Sequence, residues 1–252
     1  MRAVDAELRG GAAAVAFLTR IPVGRAVQLD AADVARGGAL FPLVGAAIGA
    51  ATGGVVYALA DPLGSLLAAL LGLVTAALLT GVLHLDALAD TADALGATTR
   101  ERALEIMRDH SIGAYGGVAL VLDLGLKAAA LAALATNGGD VVRFAICAAA
   151  GSRVAPVVLS AALPYARPGE GVGRVLGGSG IGRCLAAVVV ATAICVGVAG
   201  LDGAILLGVV ALVVVVAGAL ARRWLGGVTG DILGAAAELS ETAALIVAVT
   251  LT

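Results

Sequence analysis

Asp86, Asp90 and Asp93 follow one another at i, i+4 and i+7 in the stretch His84-Leu-Asp-Ala-Leu-Ala-Asp-Thr-Ala-Asp93. On a helix that spacing puts all three on one face. Carboxylates stacked this way repel each other, and with no base between them an isolated helix disfavours the arrangement. A divalent cation relieves the repulsion, and hard oxygen ligands favour Mg²⁺ or Mn²⁺. A solvated polar face is the plain alternative. Both histidines of the chain, His84 and His110, bracket the segment, so His84 is a candidate proton acceptor beside the three aspartates.

The next stretch carries cations. Thr98 and Glu101 have the spacing of a capping box for a helix running to about Asp109. Ala103, Leu104 and Met107 form its packing stripe, which leaves Arg102, Glu105, Arg108 and Asp109 for solvent or a ligand. Arginines facing aspartates suggest a phosphate held between guanidinium and metal. A salt-bridged surface helix fits the same pattern. Near the far end, Gly226-Gly-Val-Thr-Gly-Asp231 opens a run that also carries Glu238. Asp231 and Glu238, seven apart, form a second acidic stripe. A glycine-rich loop at 171–180, with Arg167, Arg174 and Arg183 available to anions, has GxGxxxG rather than GxGxxG and no GK[ST] ending. It is not a nucleotide loop by motif.

The elements that must position these groups are apolar. Of 252 residues, 61% are hydrophobic and 13% charged, with a net charge of -2 and a mean hydropathy of +1.06. Disorder, a basic nucleic-acid-binding protein and a disulfide-stapled module are excluded. Cys147, Cys184 and Cys195 form no CxxC pair and read as small buried residues. The first ten residues mix both charge signs, and Arg20 and Pro22 break the apolar stretch after them, so no signal peptide is read.

Apolar runs long enough to cross a bilayer occur at about 37–60, 64–85, 112–135, 140–164, 185–201, 203–221 and 231–252. The fold expected is all-α: one polytopic integral membrane bundle over 1–252, with about seven transmembrane helices. An interfacial helix over Gly11–Val23 precedes them. Between the runs, Arg2, Arg9, Arg20, Arg25, Arg36, Arg100, Arg102, Arg108, Arg167, Arg174, Arg183, Arg222 and Arg223 all fall in alternate loops, and the turns at 61–63, at 136–139 and around Asp202 carry none. Positive charge stays inside. The N-terminus and the 86–111 segment are therefore expected on the cytoplasmic side. Within the spans, Asp123 and Lys127 are one turn apart and Ser152-Arg153 lies mid-span. Such charges are functional candidates by default, with mutual pairing as the alternative.

HLDALADTADALG, RALEIMRDHSIGAYG, Lys127, Ser152-Arg153 and GGVTGDILGAAAE together resemble the cobalamin synthase family, the adenosylcobinamide-GDP ribazoletransferases. The similarity runs from FLTRIP (17–22) and FPLVGAAIG (41–49) to the C-terminus. Ala87 and Ala94 stand where that family has glycines, and HSIGAYG where an Arg is common. The resemblance implies a Mg²⁺-dependent transferase that joins α-ribazole, or its 5′-phosphate, to adenosylcobinamide-GDP with release of GMP. It would sit in a bacterial or archaeal cytoplasmic membrane with its site facing the cytoplasm. Lipid, rather than nucleic acid, would be its other partner, and a homo-oligomer is compatible with it. Asp86, Asp90 and Asp93 would hold the metal, and His84 would act with them. Arg102, Arg108, Asp109, Lys127, Arg153, Asp231 and Glu238 would contact substrate. Two other readings stand beside it. One is an ion-coupled transporter lined by Asp123, Lys127 and Arg153. The other is a different Mg²⁺-dependent membrane phosphotransferase, although the DGxxAR…GxxxDxxxD pattern of the CDP-alcohol class is absent.

The arginine sorting gives a direct expectation. A cysteine placed at 62 or 138 reacts with an impermeant thiol reagent from outside intact cells, and one at 98 does not. Labelling at 98 would overturn the orientation.

Overall fold

Backbone N–H and C=O groups in hydrocarbon find no water, so a spanning chain must satisfy them within its own helices. The structure, a computed structural model, describes residues 2–23, 29–109, 111–167 and 180–252. These are helical almost throughout. The helices are α1 (Arg2–Leu18), α2 (Ala31–Gly37), α3 (Phe41–Leu63), α4 (Ser65–Thr80), α5 (Leu83–Ala94), α6 (Arg100–Ile106), α7 (Ala114–Ala135), α8 (Asp140–Ser152), α9 (Val154–Ala162), α10 (Gly180–Leu225) and α11 (Gly230–Ala248). The glycine-rich loop at 171–179, with Arg174, lies outside the described residues, as do Arg25 and His110.

Among the described residues, five helical stretches are long and apolar enough to cross a membrane: Ala31–Leu63, Ala114–Ala135, Asp140–Ala162, Gly180–Leu225 and Gly230–Leu251. Helices α4 and α5, bent by 93° at their junction, make a sixth if taken together. The protein is thus an all-α, multi-pass membrane protein. The helix count differs from the seven runs in the sequence because 185–201 and 203–221 lie within the single stretch α10. Its 46 residues would extend about 69 Å as one straight helix, twice the thickness of a bilayer core. It is not straight. Gly200 takes φ 58, ψ -129, and Val188 and Val215 line the same cavity, so the two halves fold back on each other at that glycine.

At the N-terminus the sequence expectation needs correction. Helix α1 begins well before Gly11 and stops at Leu18. Its Leu18 is fully buried, and Phe17 stacks on Phe41 of α3 at 5.6 Å. Both side chains pack on protein. Asp33 of α2, also fully buried, is held by Arg9 of α1 (Nη2–Oδ2 2.6 Å) and by Arg36, which joins the two helices. The three cysteines are free, Cys147 and Cys195 being buried.

Without a hydrophobic effect between helices in lipid, close backbone approach does the packing, and small residues permit it. Gly45, Gly49 and Gly53 of α3 repeat every fourth residue and face Ala149, Ala145 and Val142 of α8. A Cβ added at any of them would run into α8 backbone. Gly49→Leu should therefore wedge α3 from α8. The expected loss is at least the roughly 1–3 kcal/mol of overpacking, read as a lower melting temperature in detergent. Gly54, with nothing close by, should accept the same change.

Candidate functional site

The acidic stripe begins where the chain changes direction. Gly81 (φ 63, ψ 34) and Val82 (φ 59, ψ 17) are both left-handed, an uncommon state for a β-branched residue. Gly81 lies against the Arg20 side chain, and Arg20 N donates to Leu79 O at 2.7 Å. This junction turns α5 nearly at right angles to α4. Helix α5 then crosses α11, where a Cβ added at Gly234 would lie 2.5 Å from that of Ala87. Only a glycine lets the two helices meet there.

The crossing brings the two stripes together at one point. His84 and Asp86 of α5 line a cavity of about 210 Å³ with Gly230, Asp231 and Gly234 at the start of α11 and Pro156 of α9. The first-turn N–H groups of α11 leave that helix end partly positive. Thr229 caps it, its Oγ1 accepting from Ile232 N at 3.2 Å. Asp86 is exposed and Asp90 half-buried. Asp93 serves the fold: its two oxygens accept from Gly113 N (2.7 Å) and Gly116 N (2.8 Å) at the start of α7. That helix has a glycine at its N-cap and no capping side chain of its own. The carboxylate supplies one from α5. Among the described residues, no three His, Cys, Asp or Glu side chains gather into a metal-holding group.

Glu238 is not in that cavity. Seven residues make two helical turns, about 10 Å along α11, and Glu238 meets a different neighbourhood. Lys127 Nζ of α7 lies 2.5 Å from Glu238 Oε1, 3.5 Å from Glu241 Oε1 and 3.8 Å from Asp123 Oδ2. Arg153, at the break between α8 and α9, pairs with Glu241 and donates to Ser152 Oγ at 2.7 Å. Thr242 Oγ1 donates to Asp123 Oδ1 at 2.5 Å. All of these side chains are buried or nearly so. Lys127, Arg153 and Glu238 are thus all ion-paired, Lys127 with both Asp123 and Glu238 and Arg153 with Glu241. His84 lines the small cavity beside this network as well as the one holding Asp86. It stands between the two.

Helix α6 also differs from its expectation. Its cap is Thr99, not Thr98, with Oγ1 accepting from Arg102 N at 3.2 Å. The third helical residue is thus Arg102 rather than Glu101, and no reciprocal carboxylate bond forms. Ala103 and Met107 are buried as expected. Arg102 pairs with Glu105 at 3.0 Å on the exposed side, Arg108 is exposed, and Asp109 accepts from Ser111 N at 3.0 Å. None of the three lines the cavity of Asp86 and Asp231. The contact that sequence reasoning missed is Arg167, whose Nη2 lies 2.6 Å from Asp231 Oδ2. A lone arginine beside a glycine-rich loop gave no pointer to its partner.

The chain matches the profile of the cobalamin-5-phosphate synthase family over residues 10–249. It is 42% identical over 241 residues to the adenosylcobinamide-GDP ribazoletransferase of Citrobacter koseri, covering 91% of this chain and 94% of that one. It is 41% identical over 246 residues to the protein of that name from Escherichia coli O17:K52:H18 (93% and 96% covered). The Shigella flexneri protein is 40% identical over the same length. No solved structure matches the chain.

Removing one partner of a buried ion pair leaves an uncompensated charge, worth roughly 3–5 kcal/mol. Lys127→Met is therefore expected to lower the melting temperature in detergent sharply, and Glu238→Gln in the same chain to recover part of it. A variant that melts normally but binds substrate poorly would instead make Lys127 a substrate contact.

Proposed function

The chain belongs to the cobalamin-5-phosphate synthase family, and on that premise we propose that its reaction takes place in the cavity between α5 and α11. The protein is a transferase of the nucleotide-loop assembly step of cobalamin biosynthesis, joining α-ribazole or its 5′-phosphate to adenosylcobinamide-GDP. The observation that carries the location is that Asp86 and Asp231, far apart in sequence, line one cavity at the start of a membrane helix.

The reaction exchanges one phosphorus–oxygen bond for another. An oxygen of the ribazole attacks the cobinamide-side phosphorus, the bond from that phosphorus to the bridging oxygen breaks, and GMP departs with the electron pair. Such a transfer asks little covalent chemistry of the protein. Alignment and charge stabilisation supply most of the rate. The start of α11 offers backbone N–H groups to phosphate oxygens. The attacking oxygen is a ribose hydroxyl other than the 5′ one, since the 5′-phosphate survives in the product; its proton must leave, and His84, in the wall of the same cavity, is placed to take it.

The donor set suits magnesium. Asp86 and Asp90 are hard oxygen ligands one helical turn apart. Mg²⁺ needs only one or two carboxylates, because water and substrate phosphates complete its shell. These two residues would hold the ion. Asp93, each of whose oxygens accepts one N–H bond at the start of α7, keeps a lone pair on each with which it could join them. The chemistry the bound ion supplies is neutralisation of the charge that gathers on the leaving phosphate. The sorting of arginines between spans supports a cytoplasmic-facing site in a bacterial or archaeal cytoplasmic membrane. Mutual pairing of Lys127, Arg153, Glu238 and Glu241 removes the motive for a transport pathway through them.

Membranes holding the protein, given adenosylcobinamide-GDP, α-ribazole and Mg²⁺, should release GMP and form a cobalamin. Asp86→Asn and Asp90→Asn keep side-chain shape and should each lower turnover on the order of 10²-fold or more, with the protein still inserted. Full turnover in both variants at low magnesium would remove the metal from this site.

A further inference from the structure

A donor diphosphate in the cavity of Asp86 and Asp231 needs cations close by, and neither Arg102 nor Arg108 lines that cavity. The fold sets another, Arg167, against Asp231, which does line it. Residues 164–167, following α9, run beside 226–229, which lead into α11. Ala166 N donates to Val228 O at 2.8 Å and Val228 N to Pro164 O at 2.9 Å, forming a single parallel bridge between Tyr165 and Val228. Gly227 approaches Pro164 so closely that a Cβ would collide with its carbonyl. Arg100, at the start of α6, clamps both segments: Nε donates to Leu225 O at 2.7 Å and Nη2 to Ala166 O at 3.0 Å. The backbone of Arg167 is thus fixed relative to the first turn of α11.

The side chain of Arg167 reaches from there to Asp231. Its Nη2 donates to Asp231 Oδ2 at 2.6 Å and, more weakly, to Met107 O at 3.4 Å. The pair is mostly out of water, the two side chains being 14% and 19% exposed. The Arg167 Nε is buried and has no hydrogen-bond partner. A guanidinium carries five donors in a planar fork that suits phosphate oxygens, and this one has donor capacity left.

We propose that Arg167 is the residue that grips the donor's diphosphate, with Asp231 holding the guanidinium in place until substrate arrives. The proposal rests on the cavity being the site of transfer. A diphosphate brings more negative charge and more acceptor oxygens than one carboxylate, so it competes for the fork. Asp231, on losing it, keeps the hydroxyl of Thr229, 3.3 Å from its Oδ2, and the partly positive start of α11. The ion pair is then a preformed anion site rather than a brace.

The test uses the full-length protein in liposomes, with Arg167→Ala and Arg167→Lys. Losing charge-assisted hydrogen bonds should raise the KM for adenosylcobinamide-GDP on the order of 10- to 100-fold. The KM for α-ribazole should stay within about twofold. Arg167→Lys keeps the charge but not the fork and should fall between. Calorimetry with inorganic pyrophosphate, which needs no turnover, should show binding weakened by a similar factor in Arg167→Ala. Unchanged donor KM and unchanged pyrophosphate affinity in a variant that turns over would overturn the proposal. So would equal shifts of both KM values with a lowered melting temperature, reproduced by Asp231→Asn, since that is the pattern of a structural brace. A wild-type protein that binds pyrophosphate through Arg167 but forms no cobalamin would leave the anion site standing and sink the reading of the reaction. Should Arg167→Ala fail to insert, Arg167→Lys alone decides by the same comparison of the two KM values.

Discussion

A charge buried in an apolar interior must find its counter-charge within the protein, because each unpaired ion there costs several kcal/mol. Lys127, Asp123, Arg153, Glu238 and Glu241 meet that requirement together, on α7, on the α8–α9 break and on α11. The consequence is geometric. Lys127 has to face Glu238, and Arg153 has to face Glu241, so each helix is fixed in rotation about its own axis. With Glu238 turned inward, Asp231 two turns earlier is committed to the same side of α11, where α5 crosses. The network stands beside the cavity of Asp86 and Asp231 and sets which way its wall looks.

Helix α5 takes up the other half of the problem. It leaves α4 through two left-handed residues, lies on α11 at Gly234, and ends with Asp93 capping α7. Tied at both ends, it has little freedom to roll, and Asp86 stays turned to the cavity. The three aspartates thus divide their work. Asp93 holds two helices together, and Asp86 lines the cavity with Asp231. A stripe that looks uniform along one helix stops being uniform once a second helix start is brought against one end of it.

Arg100 and Arg167 show how a loop can be made as definite as a helix. The segment after α9 has one backbone bridge and a guanidinium clamp across both strands, which is enough to set one side chain at the start of α11. Helix α6 joins the same corner through Met107, whose sulfur lies 3.7 Å from Thr229 Oγ1. Its charged face remains in water, where Arg102 pairs with Glu105.

The sequence by itself determined that this chain is a bundle of membrane helices, because 61% hydrophobic residues in long runs leave a lipid-embedded backbone no other way to satisfy its hydrogen bonds. It also showed where acidic groups gather, since spacing alone puts Asp86, Asp90 and Asp93 on one helix face. Its motifs were specific enough to point to the family. What periodicity reports, however, is which residues share a face, never what that face meets. Whether Glu238 lies with Asp231 or with Lys127, whether Asp93 meets the start of a second helix, and whether Arg102 or Arg167 pairs with Asp231 all depend on helix crossings. Those crossings are set by glycines such as Gly45, Gly49 and Gly234, by the left-handed turn at Gly81 and Val82, and by ion pairs between side chains far apart in the chain. Only the tertiary structure decided them, because each is a contact between distant segments whose energy exists only once both have been brought together.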